Sequence, residues 1–178
     1  TVLQLLPAEI ESKSVVKTDW TLPCVTIEDA PRFNYRGLMC DPCRHFMTVE
    51  EVKRQIDVMA MLKINQFHWH LTEDQGWRME IKKYPKLTEV GATRQEGEGT
   101  THSGFYTQEE MKEVVAYAAE RFITVIPELE TPGHELAAIA AYPHLSCTGE
   151  DVTPRIIWGV EDLVMCPGKG DMFPFLED

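Results

Sequence analysis

The chain has 178 residues, 43% hydrophobic and 26% charged, the profile of a soluble globular protein with room for one sizeable core. Seventeen Lys and Arg against 29 Asp and Glu leave a net charge of -12, which argues against a nucleic-acid partner because neutralising phosphates needs basic patches. No apolar run approaches the length of a membrane span and no stretch reads as a signal peptide, while a first residue of Thr1 rather than Met points to a chain processed or cut from something longer.

Residues 1–6 read as the tail of an element that Pro7 ends, and residues 8–34 as an irregular lead-in punctuated by Pro23 and Pro31. An apolar strand is expected over residues 36–40, followed at its carboxyl end by Asp41, Arg44 and His45. Thr48 and Glu51 form a capping box that starts a helix, with Val49, Val52, Ile56, Met59 and Ala60 as its apolar stripe and Asn65 at its close. The aromatic run over residues 65–71 predicts a buried strand, and the cluster Thr72-Glu73-Asp74-Gln75 begins where that strand stops. A long connection over residues 72–106 has the length of a functional or mobile loop. A second capping box, Thr107 with Glu110, opens a helix that turns Met111, Val114, Val115, Ala118 and Ala119 to a core. A third strand over residues 123–127 delivers Glu128, Glu130 and His134 at its end. A short helical run at 137–141 follows, and Asp171 is placed to cap a last helix.

The order βαβαβα, with a polar cluster after every strand, belongs to a parallel sheet, in which ligands bind at the carboxyl ends of the strands. The fold class is therefore α/β, with three units reading as part of a (β/α)₈ barrel. Residues 1–34 stand apart from a main body over residues 35–178.

Five Cys are too few for a disulfide scaffold, and an odd number leaves at least one thiol free. Cys40 and Cys43 have the spacing of a redox pair or half a zinc site, but no second pair completes a zinc site. Cys147 and Cys166, which bracket a polar loop, are the better disulfide candidates.

The three clusters bring together Arg44, then Glu73 and Asp74, then Glu130 and His134. An Arg among carboxylates at a barrel mouth can donate to sugar hydroxyls, and a His beside an acid tunes a proton donor, which fits glycoside hydrolysis. A rival reading starts from His68 and His70, which strand alternation sets on one face, as in metal-dependent barrel hydrolases. Such a site needs further ligands, of which His134 is the candidate. Buried, hydrogen-bonded strand histidines are the simpler account.

The stretches RGLMCDPCRHF, FHWHLTEDQGWRMEIKKYPKLTEVGA, PELETPGH and WGVEDLVMC closely resemble the glycoside hydrolase family 20 β-N-acetylhexosaminidases. The resemblance implies a (β/α)₈ catalytic domain after a smaller α/β domain, export from the cytoplasm, no cofactor, and terminal β-linked N-acetylglucosamine or N-acetylgalactosamine in glycans as substrate. It implies retention of configuration by substrate-assisted chemistry, in which the sugar's acetamido oxygen attacks the anomeric carbon to give an oxazolinium ion. In that family an Asp orients the acetamido group and the adjacent Glu is general acid and base, within a His-x-Gly-Gly-Asp-Glu motif that does not occur in these residues. By this resemblance Arg44 grips hydroxyls of the terminal sugar, and Glu73 and His134 bond to each other behind the catalytic Glu. Glu130, with Arg44 a candidate for binding the substrate sugar, stands like Glu73 where many members have Asp. Asp74, Gln75 and Trp77 shape the loop, Cys40 and Cys43 serve packing, and Cys recurs in the family at the positions of Cys147 and Cys166. The remaining alternative is a truncated domain that binds sugar without turnover.

Overall fold

A computed structural model describes residues 2–178, so Thr1, the start of the expected terminal element, lies outside the described residues. The chain divides into two compact units, Thr1–Asn34 and Tyr35–Asp178. The first holds one helical turn, α1 (Val2–Leu5), and a 3₁₀ turn at Ala8–Glu11 after Pro7. Its remainder is without regular structure.

The second unit is built on a parallel three-stranded sheet in the order β1 (Gly37–Cys40), β2 (Gln66–His70), β7 (Thr124–Glu128). Gly37 pairs with Gln66 and Gln66 with Thr124, so the three strands end level, and the loops that leave their carboxyl ends meet. Helix α2 (Val49–Met61) returns the chain from β1 to β2, and α4 (Gln108–Ala119) leads into β7. Both helices start on the expected capping boxes, Thr48 with Glu51 and Thr107 with Glu110.

Strand alternation decides what β2 gives to each side. Phe67 and Trp69 are buried against Val52, Ile56 and Met59 of α2 and Val114 and Ala118 of α4. His68 and His70 therefore take the opposite face, toward the strand ends that carry the acids. In α4 the stripe is narrower than its sequence implies: Val115 is 49% exposed and Ala119 is also exposed. Each sits one residue, about 100° of helical turn, beyond the buried pair Val114 and Ala118.

Three other boundaries differ from expectation. Helix α2 ends at Met61, where Lys63 takes a left-handed φ of 57°. Asn65 instead accepts the Arg36 backbone N–H at 3.0 Å and so joins the starts of two strands. The connection over residues 72–106 is structured, with two hairpins, β3 (Thr72–Glu73) with β4 (Gly76–Trp77) and β5 (Thr93–Gln95) with β6 (Thr101–Ser103), and a helical turn, α3 (Lys86–Glu89). Strands of two or three residues are too short to show a period. In the first hairpin a Cβ on Gly76 would come within 2.4 Å of Arg78 Nη2, so the turn requires glycine. Helices α5 (Leu136–Ala141) and α6 (Met172–Glu177) complete the unit, but the Asp171 side chain makes no capping bond to α6.

Arg78 sits where these pieces join and is fully buried. Its guanidinium donates to four backbone carbonyls: Nε to Pro42 at 2.9 Å, and Nη1 to Ala92 and Gly104 and Nη2 to Cys43, each at 2.8 Å. Burial lowers its pKa to about 10, so it remains charged at neutral pH. A second core packs α5 and α6 around Trp77, Leu87 and Met165. Cys147 and Cys166 form a disulfide with Cα atoms 4.8 Å apart, while Cys24, Cys40 and Cys43 are free.

Replacing Arg78 by Met should cost about 3–5 kcal/mol of unfolding free energy in urea titrations, because four buried carbonyls lose a charged donor. Arg78→Lys should recover only part of this, since an ammonium cannot reproduce the planar fork. Cys147→Ser should cost about 3 kcal/mol by the chain-entropy account, read as a lower melting temperature than the oxidised parent and no further loss on adding reductant.

Candidate active site

The site is assembled from the three strand ends. After β1, Asp41 turns the chain by accepting the backbone N–H groups of Cys43 and Arg44 at 3.0 and 3.2 Å. Its other oxygen lies 2.6 Å from Arg44 Nη1. That aims the Arg44 side chain at β3, where Nη2 is 3.0 Å from Glu73 Oε1 and Nε donates to Gln75 Oε1 at 3.1 Å. Gln75 passes the link on by donating to the Ile157 carbonyl at 2.9 Å. Arg44 therefore contacts Glu73 directly.

From the other side, His134 Nδ1 lies 2.7 Å from the same Glu73 Oε1. One carboxylate oxygen, 1% exposed as a residue, is therefore held between a guanidinium and an imidazole. His134 reaches it from a left-handed backbone position, φ 57°, after the Pro132-Gly133 turn. Asp74 fixes the next element by accepting the Leu136 backbone N–H at 3.0 Å, at the start of α5.

Glu130 is not in contact with Arg44. Its backbone N–H donates to Thr72 Oγ1 at 2.8 Å, and its Oε1 stands 3.4 Å from His70 Nε2. Glu128 Oε2 lies 2.6 Å from His68 Nε2 and 3.6 Å from His70 Nε2, so both imidazoles do share a face. They do not converge with His134 on one point, which removes the basis of the three-histidine metal reading. Each imidazole instead faces carboxylates of its own: His68 faces Glu128, His70 faces Glu128 and Glu130, and His134 faces Glu73.

Burial and these contacts set the ionisation of the acids. Burial works to raise the Asp41 pKa, but His70 and Arg44 outweigh it and hold the carboxyl at about 2. Glu73 is raised by burial even against Arg44 and His134. Asp74 is raised in the same way. Glu135, 2% exposed, is pushed far up by burial and by the neighbouring Glu130, Asp74 and Glu73. Acidification therefore neutralises Glu135 and Glu73 early and Asp41 last, so the Arg44–Asp41 pair outlives the Arg44–Glu73 pair as pH falls.

Sequence reasoning passed over Asp41, Glu128 and Glu135 as site residues. Asp41-Pro42 is a turn signature, and Glu128 shares its strand face with Glu130, so those two were visible in principle. Glu135 follows a residue in a left-handed conformation, and nothing in its spacing marks it as buried.

Residues 33–178 match the profile described as "Glycosyl hydrolase family 20, catalytic domain". The β-hexosaminidase of Porphyromonas gingivalis is 62% identical over the whole of this chain, which covers 23% of that protein. The N,N'-diacetylchitobiase of Vibrio harveyi is 42% identical over 68% of this chain and 16% of its own length. Among solved structures, the β-N-acetylhexosaminidase of Streptomyces coelicolor A3(2) aligns with a TM-score of 0.90 and 39% identity over 99% of this chain and 35% of that one. A Streptomyces plicatus β-hexosaminidase variant in complex with the product GlcNAc aligns with a TM-score of 0.90 and 40% identity over the same shares. The chain thus spans about a quarter to a third of the relatives it matches most fully. With motifs, parallel sheet and profile in agreement over residues 33–178, the chain belongs to glycosyl hydrolase family 20.

Proposed function

We propose that this chain supplies the first three βα units of the (β/α)₈ catalytic domain of an exo-β-N-acetylhexosaminidase, with residues 1–34 as the end of a preceding domain and its lead-in. The observation that carries this reading is Glu73 Oε1, buried and shared by Arg44 at 3.0 Å and His134 at 2.7 Å at the ends of three parallel strands. The substrate is a glycan ending in β-linked N-acetylglucosamine or N-acetylgalactosamine. GlcNAc as the product bound to the Streptomyces plicatus relative supports that choice. Export from the cytoplasm fits the disulfide, since such bonds persist in oxidising compartments.

Arg44, the exposed member of the trio at 41% of its side-chain area, donates to hydroxyls of the terminal sugar. Asp41 and Glu73 neutralise that guanidinium and fix its plane, so the ligand meets a preset fork. The acetamido oxygen of the sugar attacks the anomeric carbon as the glycosidic oxygen takes a proton from the general acid, and water later opens the oxazolinium with retention. His134, whose Nδ1 is fixed by Glu73, presents its other ring nitrogen toward that acid and adjusts its charge as the proton leaves and returns. Glu73, raised by burial, can take part of that charge. The general acid and the acetamido-orienting Asp belong to a Gly-Gly-Asp-Glu motif that is not among these 178 residues.

Residues 1–178 alone should show no hydrolysis of a chromogenic N-acetylglucosaminide above background, because a positioned general acid contributes about a hundredfold to ten-thousandfold. Robust turnover by the purified chain would refute this. In the enzyme carrying the complete catalytic domain, Glu73→Gln should lower kcat by about tenfold to a hundredfold, by removing the charge that both Arg44 and His134 face. An unchanged kcat would remove Glu73 from the proposed role.

A further inference from the structure

Four carboxylates from three separate segments surround one buried imidazole, and the proton path described above leaves that convergence unused. His70 ends β2 and is 4% exposed. Its Nδ1, buried and without a hydrogen bond, stands 3.4 Å from Asp41 Oδ1, in the loop after β1. Its Nε2 lies 3.4 Å from Glu130 Oε1 and 3.6 Å from Glu128 Oε2, at the end of β7, and 3.8 Å from Glu73 Oε2, in β3. The Cys43 thiol donates to the His70 carbonyl at 3.0 Å, which holds the strand end against the same loop.

The other basic groups nearby are committed elsewhere. Arg44 faces Asp41 and Glu73 Oε1, His134 faces Glu73 Oε1, and His68 faces Glu128. Glu73 Oε2 is buried and has no hydrogen-bond partner among the described residues, and His70 is the imidazole beside it. A neutral ring offers one N–H and could serve only one side of this arrangement. A protonated ring offers two and supplies the missing positive charge. Burial opposes the charge, but Asp41, Glu128 and Glu130 together outweigh it and raise the His70 pKa.

We propose that His70 is a positioning residue of this site, an imidazolium that ties the Arg44-bearing loop, through Asp41, to the end of β7, through Glu130. It thereby sets where the two side chains assigned to sugar binding stand. The assignment to sugar binding rests on the hexosaminidase reading, while the protonation and the tie do not.

Two measurements test this independently. In the chain labelled with ¹⁵N-histidine, His70 should carry a proton on both ring nitrogens at pH 7, with its resonances assigned by their loss in His70→Gln. A neutral His70 ring at pH 7 overturns the proposal, and this readout needs no active enzyme and no folded variant beyond the assignment. In the enzyme with the complete catalytic domain, His70→Gln should raise KM for a chromogenic N-acetylglucosaminide by about tenfold. It should also move the acid limb of the kcat/KM profile up by about one pH unit. The sign follows from charge: removing a neighbouring cation raises the pKa values of Glu73 and Asp41, so carboxylates that must be ionised are lost at higher pH. A fall in kcat that is uniform across pH, with KM unchanged, would mean a merely structural role and would also overturn it. Absence of hydrolysis by the parent enzyme would instead count against the hexosaminidase reading, and the NMR result would still decide for or against His70.

Discussion

The Arg78 guanidinium is the interaction on which the rest of the unit depends. It is fully buried without a carboxylate partner, and its charge is balanced by the dipoles of four carbonyls. Those carbonyls belong to Pro42, Cys43, Ala92 and Gly104, which lie outside the strands and helices. The loop bearing Arg44 thus takes its position from a cation that never touches a ligand. Arg94 adds to the same work by donating to the Arg44 carbonyl at 2.7 Å and the Gln75 carbonyl at 3.2 Å.

On that frame the site solves an electrostatic problem. Asp41, Glu73, Asp74, Glu128, Glu130 and Glu135 crowd one end of a small sheet, and their mutual repulsion in a poorly solvated region calls for basic groups between them. Arg44, His68, His70 and His134 are interleaved, so nearly every acid has a basic neighbour within 4 Å. Glu135 lacks one, and burial together with its acidic neighbours pushes its pKa far up instead. The outcome is a set of acids with dispersed affinities, from Asp41 at about 2 to Glu135 far above the ordinary carboxylate range. Such dispersion is what proton transfer near neutral pH needs.

Much of this was legible in the residues. Capping boxes at Thr48 and Thr107 marked both long helices, and the alternation in Phe67-His68-Trp69-His70 separated core from site before any coordinates. The approach of Glu73 to His134 was implied by the family resemblance and agrees with their places at strand ends. What stayed hidden was of two physical kinds. The hairpins at 72–77 and 93–103 are shorter than the period that identifies a strand, and the carbonyls of Ala92 and Gly104 flanking the second are held by Arg78, a tertiary contact. The pairing of Glu130 with His70 instead of Arg44 depends on strand register, since Gln66 facing Thr124 sets His70 opposite Glu128. Register is written in long-range pairing and not in local pattern.

The disulfide between Cys147 and Cys166 has a consequence for how this region can diversify. It closes a loop whose far end is pinned again where the Cys166 N–H meets the Leu145 carbonyl at 2.7 Å. Inside that loop, Ile157 touches the Gln75–Arg44 link through its main-chain oxygen alone, a contact any amino acid can make. Arg155 Nε donates to the same Ile157 carbonyl at 3.1 Å and Met165 is buried in the second core, so only exposed positions such as Trp158, at 88%, are uncoupled from the residues that hold Arg44. Sequence can drift there, or the loop can lengthen by a few residues, while the stapled base and the carbonyl contact keep the guanidinium in place.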